Sequence, residues 1–259
     1  MGRLIVVGAG MKSVSHITLE ARRVINGADH CLFLVTERTL KQWIEEESKS
    51  SESLESIYFN SSKRINAYIA ITEYIVKELN KYNSLCVVFY GHPSFFASSA
   101  LWAVQRVKET GGEAIILPGI SSADTLYADL CIDPGDVGCS IFEATDFLVH
   151  RRLFDPRCHL VLFQIGMIGG HSHNLIKKNI KVLIDYLLKY YSKEHKIILY
   201  EASVLPAMKP IIRKLALQEL YKETLNKVTT LYVEPLTSTS VDYEMISKLG
   251  IEPSEFLPS

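Results

Sequence analysis

The chain has 259 residues, 47% apolar and 22% charged, with 28 basic against 29 acidic side chains and a formal net charge of −1. That composition fits one large or two modest globular domains with real cores, and it disfavours a generally basic protein that holds nucleic acid by counterion release. No apolar run reaches the roughly 18–20 residues of a membrane helix and Leu4–Val7 is too short for a signal-peptide core, so a cytoplasmic protein with no membrane and no nucleic-acid partner is expected.

Leu4–Gly8 reads as a short apolar strand ending in glycine. A helix is expected over Thr18–Asn26 with Gly27 as its stop, then a second strand over His30–Val35. The Ser- and Glu-rich stretch Glu45–Glu55 reads as a solvated loop. Arg64–Lys81 is an amphipathic helix with Ile65, Ile69, Ile75 and Leu79 on or near one face. A third strand over Ser84–Tyr90, a helix over Phe96–Glu109 and a fourth strand over Ala114–Leu117 follow. Short apolar strands alternating with helices imply a parallel sheet covered on both faces.

After Pro118-Gly119 the rhythm changes. Strands are expected at Ser140–Ala144, His159–Gln164, Lys196–Glu201 and Thr229–Val233, interrupted by a helix over Asn174–Tyr191. The expected fold is therefore α/β in two domains: a parallel N-terminal sheet over 1–119 and a mixed α+β sheet over 120–259. The lysines at 177, 178, 181, 189 and 193 read as a solvated basic face. The five cysteines (Cys31, Cys86, Cys131, Cys139, Cys158) form no CxxC pair and read as buried free thiols, so no metal site is expected.

Three glycine-bearing turns follow strands. Gly8-Ala9-Gly10 lacks the third glycine of a dinucleotide fingerprint, Ser13 standing there instead. Tyr90-Gly91-His92-Pro93 follows the third strand, glycine permitting close backbone approach and proline fixing the turn. Leu117-Pro118-Gly119-Ile120-Ser121-Ser122-Ala123 leads into a helix whose free N–H groups suit a ligand. Each is open to two readings, a structural turn or a wall of a ligand cleft at the carboxyl ends of the strands. An ordinary serine cap is the second reading of the third turn. Asp124 and Asp129 read as a helix charge and a structural partner.

These turns, in this order, resemble the tetrapyrrole-methylase superfamily. That resemblance implies two α/β domains with S-adenosylmethionine in the cleft between them, S-adenosylhomocysteine as product, and a homodimer. Porphyrin and corrin methylases carry Pro-Gly-Asp in the first turn, where this chain has Met11-Lys12-Ser13. Segments Tyr90–Ala97, Tyr127–Gly135, Phe142–Ala144, Tyr200–Ala202 and Lys248–Ile251 resemble instead the borosin peptide backbone α-N-methyltransferases, especially the split bacterial type. So does the spacing of Tyr58, Arg64 and Tyr68, which the resemblance makes catalytic. It further implies that Gly8, Tyr90, His92, Phe95, Ala97, Ser122, Ala123, Gln164, Met167 and Ala202 line the cofactor pocket.

The chemistry explains why such residues are needed. An amide nitrogen is a poor nucleophile because its lone pair is delocalised, and methyl transfer needs sulfur, methyl and nitrogen in line. A phenol titrates near ~10, and an adjacent guanidinium favours its phenolate. Arg64 and Tyr68 are spaced i, i+4 and share a face if the helix begins by Arg64, with Tyr58 on the preceding loop. Tyr58 or Tyr68 is expected to assist proton removal while Arg64 stabilises negative charge. Val241–Ser259 is too short for a core peptide with its binding domain. The expected partner is thus a separate precursor peptide with a leader domain, forming a heterotetramer with the homodimer. Precorrin or porphyrin C-methylation, ribosomal RNA methylation and a non-catalytic cofactor-binding regulatory subunit remain the alternatives.

Overall fold

The structure, a computed structural model, describes residues 2–61, 63–170, 173–237 and 241–252. It resolves into two compact units: Met1–Ile132 with Ala202–Ile211, and Asp133–Glu201 with Ile212–Ser259.

The first unit holds five parallel strands in the order β3-β2-β4-β1-β5. They are β1 (Arg3–Gly8), β2 (His30–Leu34), β3 (Ser51–Ser53), β4 (Ser84–Phe89) and β5 (Ala114–Ile116). β1 and β4 are the central pair, Leu4 opposite Leu85 and Gly8 opposite Phe89. Leu4, Val6, Val7, Leu85, Val87 and Val88 are completely buried, as continuous apolar runs in a two-faced parallel sheet should be. α1 (Leu19–Gly27) begins on the Thr18 hydroxyl, which accepts from the Ala21 N–H at 3.0 Å. α2 (Arg38–Glu47), α3 (Glu55–Phe59), α4 (Arg64–Leu79), α5 (Ser98–Glu109) and α6 (Ser122–Leu130) complete the unit.

Two features differ from the sequence reading. The polar stretch 45–55 is not a loop. Glu37 caps α2 by accepting from the Thr39 and Leu40 N–H groups, Leu40 and Ile44 are fully buried one turn apart, and Ser51–Ser53 pairs with Cys31–Phe33 as an edge strand. An edge strand tolerates polar side chains because its stabilisation comes from backbone pairing. On α4, Ile65 and Ile69 are exposed, whereas Ala67, Ile71, Ile75 and Leu79 are buried. The core stripe is thus set by Ala67 and Ile71.

The second unit has the sheet order β6-β7-β10-β8-β9, comprising β6 (Cys139–Glu143), β7 (His159–Phe163), β8 (Lys196–Glu201), β9 (Ile211–Ala216) and β10 (Thr230–Val233). β6 and β7 run parallel, while β10 runs antiparallel to both β7 and β8. The sheet is mixed, as expected. β9 escaped the sequence reading because it is a half-exposed edge with no clean alternation. α7 (Ala144–Val149), α8 (His173–Leu187) and α9 (Tyr243–Leu249) belong to this unit. Phe147, fully buried, lies 5.4–5.5 Å ring to ring from Phe142, Phe154 and Tyr186. Lys177, Lys178, Lys181, Lys189 and Lys193 are exposed, a solvated face as read from sequence.

The first stretch of the first compact unit runs to Ile132 and a second, Ala202–Ile211, joins it, whereas the sequence reading placed the boundary at 119/120. Cys31 and Cys86 are buried free thiols, but Cys131 is exposed and Cys139 and Cys158 are half-buried, so burial holds for only two of the five. Of the tail Val241–Ser259, α9 starts on the Asp242 carboxylate and ends at Gly250 in the left-handed region; 253–259 lie outside the described residues. Among the described residues no helix is long and apolar enough to cross a membrane.

Candidate active site

The three glycine turns meet in space at the carboxyl edge of the first sheet. A Cβ on Gly8 would stand 2.3 Å from the Gly91 carbonyl oxygen and 3.2 Å from the Gly119 Cα. Gly10 and Gly91 exchange backbone hydrogen bonds at 3.0 and 3.1 Å. Backbone against backbone at this spacing leaves no room for a side chain, so glycine is required on steric grounds. The first loop is then tied down from both sides. His16 Nδ1 accepts from the Met11 and Lys12 N–H groups at 3.3 Å, and the Ser13 hydroxyl donates to Glu37 at 2.9 Å.

Beside these turns lies a pocket of about 250 Å³. Its walls are Leu34 and Thr36 at the end of β2, Tyr58 on α3, Arg64 and Tyr68 on α4, Phe89 and Tyr90 at the end of β4, and Phe95, Phe96, Ala97 and Ser99 around the start of α5. Tyr58, Arg64 and Tyr68 therefore converge in one pocket. Tyr58 sits on a short helix, not on the loop expected from sequence. The Tyr58 and Tyr68 rings are 6.4 Å apart, and Tyr68 also meets Trp102 edge-on at 6.4 Å. α4 begins at Arg64 itself; the Lys63 side chain makes no cap hydrogen bond and the first turn holds no acidic residue. The helix dipole there favours negative charge.

Arg64 carries the electrostatics. Burial of its guanidinium works against its charge, but the phenol oxygens of Tyr68 and Tyr58, hydrogen-bonded to it, outweigh that and raise its pKa. It thus stays cationic at any working pH. Tyr90 differs: burial of its phenol pushes it up to about 12, and its hydroxyl donates to the Met11 carbonyl at 3.4 Å. It is a neutral hydrogen-bonding wall, not a base.

The other sequence-designated positions fall into three groups. Tyr90, Phe95 and Ala97 line the pocket with the Tyr-Arg-Tyr set. Gly8 and His92 belong to the adjoining turns; His92 Nδ1 accepts the Ser94 N–H at 3.0 Å, which fixes its tautomer. Ser122 and the buried Ala123 open α6, where Ser121 forms a capping box with Asp124. Asp124 is thereby the helix charge the sequence suggested. Gln164, in the left-handed region at φ +60°, and Met167 flank the turn after β7 in the second unit, and Ala202 follows β8. These last five do not line the pocket. Sequence reasoning missed Leu34, Thr36, Phe89, Phe96 and Ser99 as lining residues. Leu34, Thr36 and Phe89 could have been found by extending the strand-edge rule to β2 and β4.

Solved structures share this architecture. The uroporphyrin-III C-methyltransferase of Thermus thermophilus aligns with a TM-score of 0.64 over 98% of this chain and 99% of its own, at 18% identity. The same enzyme complexed with S-adenyl homocysteine aligns at 0.62 over 90% and 92%. The fold class is that of a two-unit α/β methylase. The sequence pattern described as tetrapyrrole (corrin/porphyrin) methylases matches residues 3–203, and the chain belongs to this family.

Its relatives point further. The methyltransferase/type I borosin cyclic peptide precursor of Serendipita vermifera subsp. bescii is 32% identical over 261 residues, covering 98% of this chain and 64% of that one. The omphalotin A precursor of Omphalotus olearius, also named a methyltransferase, is 33% identical over 264 residues, covering 99% and 63%. A type I borosin precursor of Coprinopsis marcescibilis is 32% identical, covering 98% and 68%. The borosin kinship read from Tyr58, Arg64 and Tyr68 is borne out. The chain spans just under two thirds of the length of the first two relatives.

Proposed function

We propose that this protein is an S-adenosylmethionine-dependent methyltransferase that α-N-methylates backbone amides of a ribosomally made peptide. The observation that carries the reading is the convergence of Tyr58, Arg64 and Tyr68 in one aromatic pocket, in a chain about a third identical to proteins named methyltransferase and borosin precursor.

The residues present suit the cofactor. Tyr58, Tyr68, Phe89, Tyr90 and Phe95 line the pocket, and aromatic faces attract a sulfonium cation. Tyr90, Phe95 and Ala97 in the pocket, with Gly8 and His92 in the adjoining turns, would hold it. When bound, the cofactor supplies an electrophilic methyl on sulfur, with S-adenosylhomocysteine as the leaving group.

The chain's own residues do the rest. Arg64, charged throughout, donates to the amide oxygen as negative charge gathers there, a charge-assisted hydrogen bond worth most in the transition state. Tyr58 or Tyr68, once its own proton has left to solvent, would receive the amide proton as a phenolate held beside the Arg64 guanidinium. The dipole of α4 adds to the field that stabilises the transient anion. The pocket walls hold the peptide unit in line with the methyl and exclude water.

The reading extends to a separate precursor with its own leader domain, taken up by a homodimer as a heterotetramer; the resemblance to the split borosin type supports it. Light scattering with and without precursor measures that assembly. The decisive experiment is intact mass spectrometry of a candidate precursor co-expressed with this protein, followed by fragmentation. Mass increments of whole methyl groups on backbone amides, lost in Tyr58→Phe or Tyr68→Phe, are expected. An unmodified peptide with the cofactor still bound sends the reading to porphyrin or RNA substrates.

A further inference from the structure

Phe96 combines two properties that rarely occur together. Its backbone lies in the left-handed region at φ +55°, where an L residue crowds its Cβ against backbone and a bulky side chain is an outlier. Yet Phe96 remains 45% exposed while lining the pocket. A strained aromatic is ordinarily compensated by burial in a core; this one keeps much of its surface at the pocket mouth. Five residues earlier Gly91 takes up a similar conformation, φ +73°, with the residue type that suits it. The Phe95 ring meets the Phe96 ring at 4.5 Å, inclined by 64°, so the ring is held in place. Strain retained beside a site points to a role in that site.

Phe59, Ile65 and Ile69 are exposed at 63%, 49% and 43%, and they adjoin Tyr58, Arg64 and Tyr68 in sequence. Among the described residues Arg64 is the one charged side chain in the pocket wall, and it is already engaged by two phenols. We infer that Phe96 is a specificity-determining residue: its ring packs against the side chain next to the amide being methylated and selects an apolar one. This deepens the peptide-methyltransferase reading and rests on it.

The test uses the full chain, S-adenosylmethionine, and two synthetic peptides, one of leucine and alanine, one of serine and aspartate. Methylation of each is followed by mass spectrometry for the wild type, Phe96→Gly and Phe96→Tyr. Cofactor affinity is measured by calorimetry and melting temperature by circular dichroism. The expected result is that Phe96→Gly cuts the apolar-over-polar ratio of kcat/KM by about tenfold. Its cofactor Kd stays within about twofold, its melting temperature is not lowered because glycine accepts the left-handed backbone, and Phe96→Tyr keeps the ratio. An unchanged ratio in Phe96→Gly overturns the inference. So does a cofactor Kd weakened about tenfold, which makes the ring part of the cofactor wall, or a lowered melting temperature, which makes it a structural strut. A wild-type protein that methylates neither peptide removes the peptide reading and this inference with it. A wild type that is active and selective beside an indifferent Phe96→Gly removes only the inference.

Discussion

The two units have five strands each and use them differently. In the first, all neighbouring strands run parallel, so their carboxyl ends share one edge, and the glycine turns and the pocket stand at that edge. In the second, β10 opposes its neighbours, so strand ends alternate between edges. Its interior is filled by the aromatic cluster around Phe147. The first unit gains its site by letting backbone touch backbone at Gly8, Gly91 and Gly119; the second gains rigidity by side-chain packing. A parallel sheet concentrates loops where chemistry can be built, and the catalytic candidates all lie in that unit.

That contrast can be broken or sharpened by experiment. The largest effect belongs to the packed unit. Phe147→Ala removes a fully buried ring and is expected to lower stability by about 3–5 kcal/mol, read from urea unfolding; a loss below about 1 kcal/mol would show that the aromatic cluster does not hold the second unit. Next comes Arg64→Lys. A lysine cannot present the planar fork to two phenol oxygens, so kcat should fall roughly 10²-fold with the melting temperature unchanged. If stability drops instead, the site residues are scaffold and the division of labour fails. Gly8→Ala follows, because its Cβ meets the Gly91 carbonyl at 2.3 Å. An overpacking cost of about 1–3 kcal/mol should come with loss of methylation, since the strand-edge turns must part.

The smallest effect is a pH dependence at the far side of the first sheet. His30 is buried, stacked on Tyr82 at 4.6 Å and bonded to Ser50; burial lowers its pKa below 6.5 against the opposing pull of Glu52 and Glu78. The unfolded chain then takes up the proton first. The stabilisation is whole above pH 6.5 and declines as pH falls from there toward the lowered folded value. Melting temperatures from pH 7.5 to 5 should fall more steeply for the wild type than for His30→Gln. Parallel curves would mean that His30 does not titrate in this window.

Much of this was legible in the chain itself. Apolar runs such as Leu4–Val7 and Leu85–Phe89 announce buried parallel strands because the hydrophobic effect acts on composition and period. Glycine after a strand announces a tight turn, and the i, i+4 spacing of Arg64 and Tyr68 pointed to a shared helix face before any geometry was known. Where the reading slipped, tertiary pairing was responsible. Ser51–Ser53 became a strand because Cys31–Phe33 offered it a partner, and β9 became an edge for the same kind of reason. Ile65 and Ile69 faced solvent because Ala67 and Ile71 suited the sheet better.

The sequence by itself therefore determined the class of fold and the order of most elements, since these follow from local period, turn chemistry and residue type, while the choice of Tyr58, Arg64 and Tyr68 as catalytic candidates came from the family resemblance. Only the tertiary structure decided that three glycine turns distant in sequence pack on one another, that Leu34, Thr36 and Ser99 join the catalytic candidates in one pocket, and that Phe96 stands strained at its mouth. Those outcomes depend on sheet order and backbone approach, which arise from contacts between segments far apart in the chain.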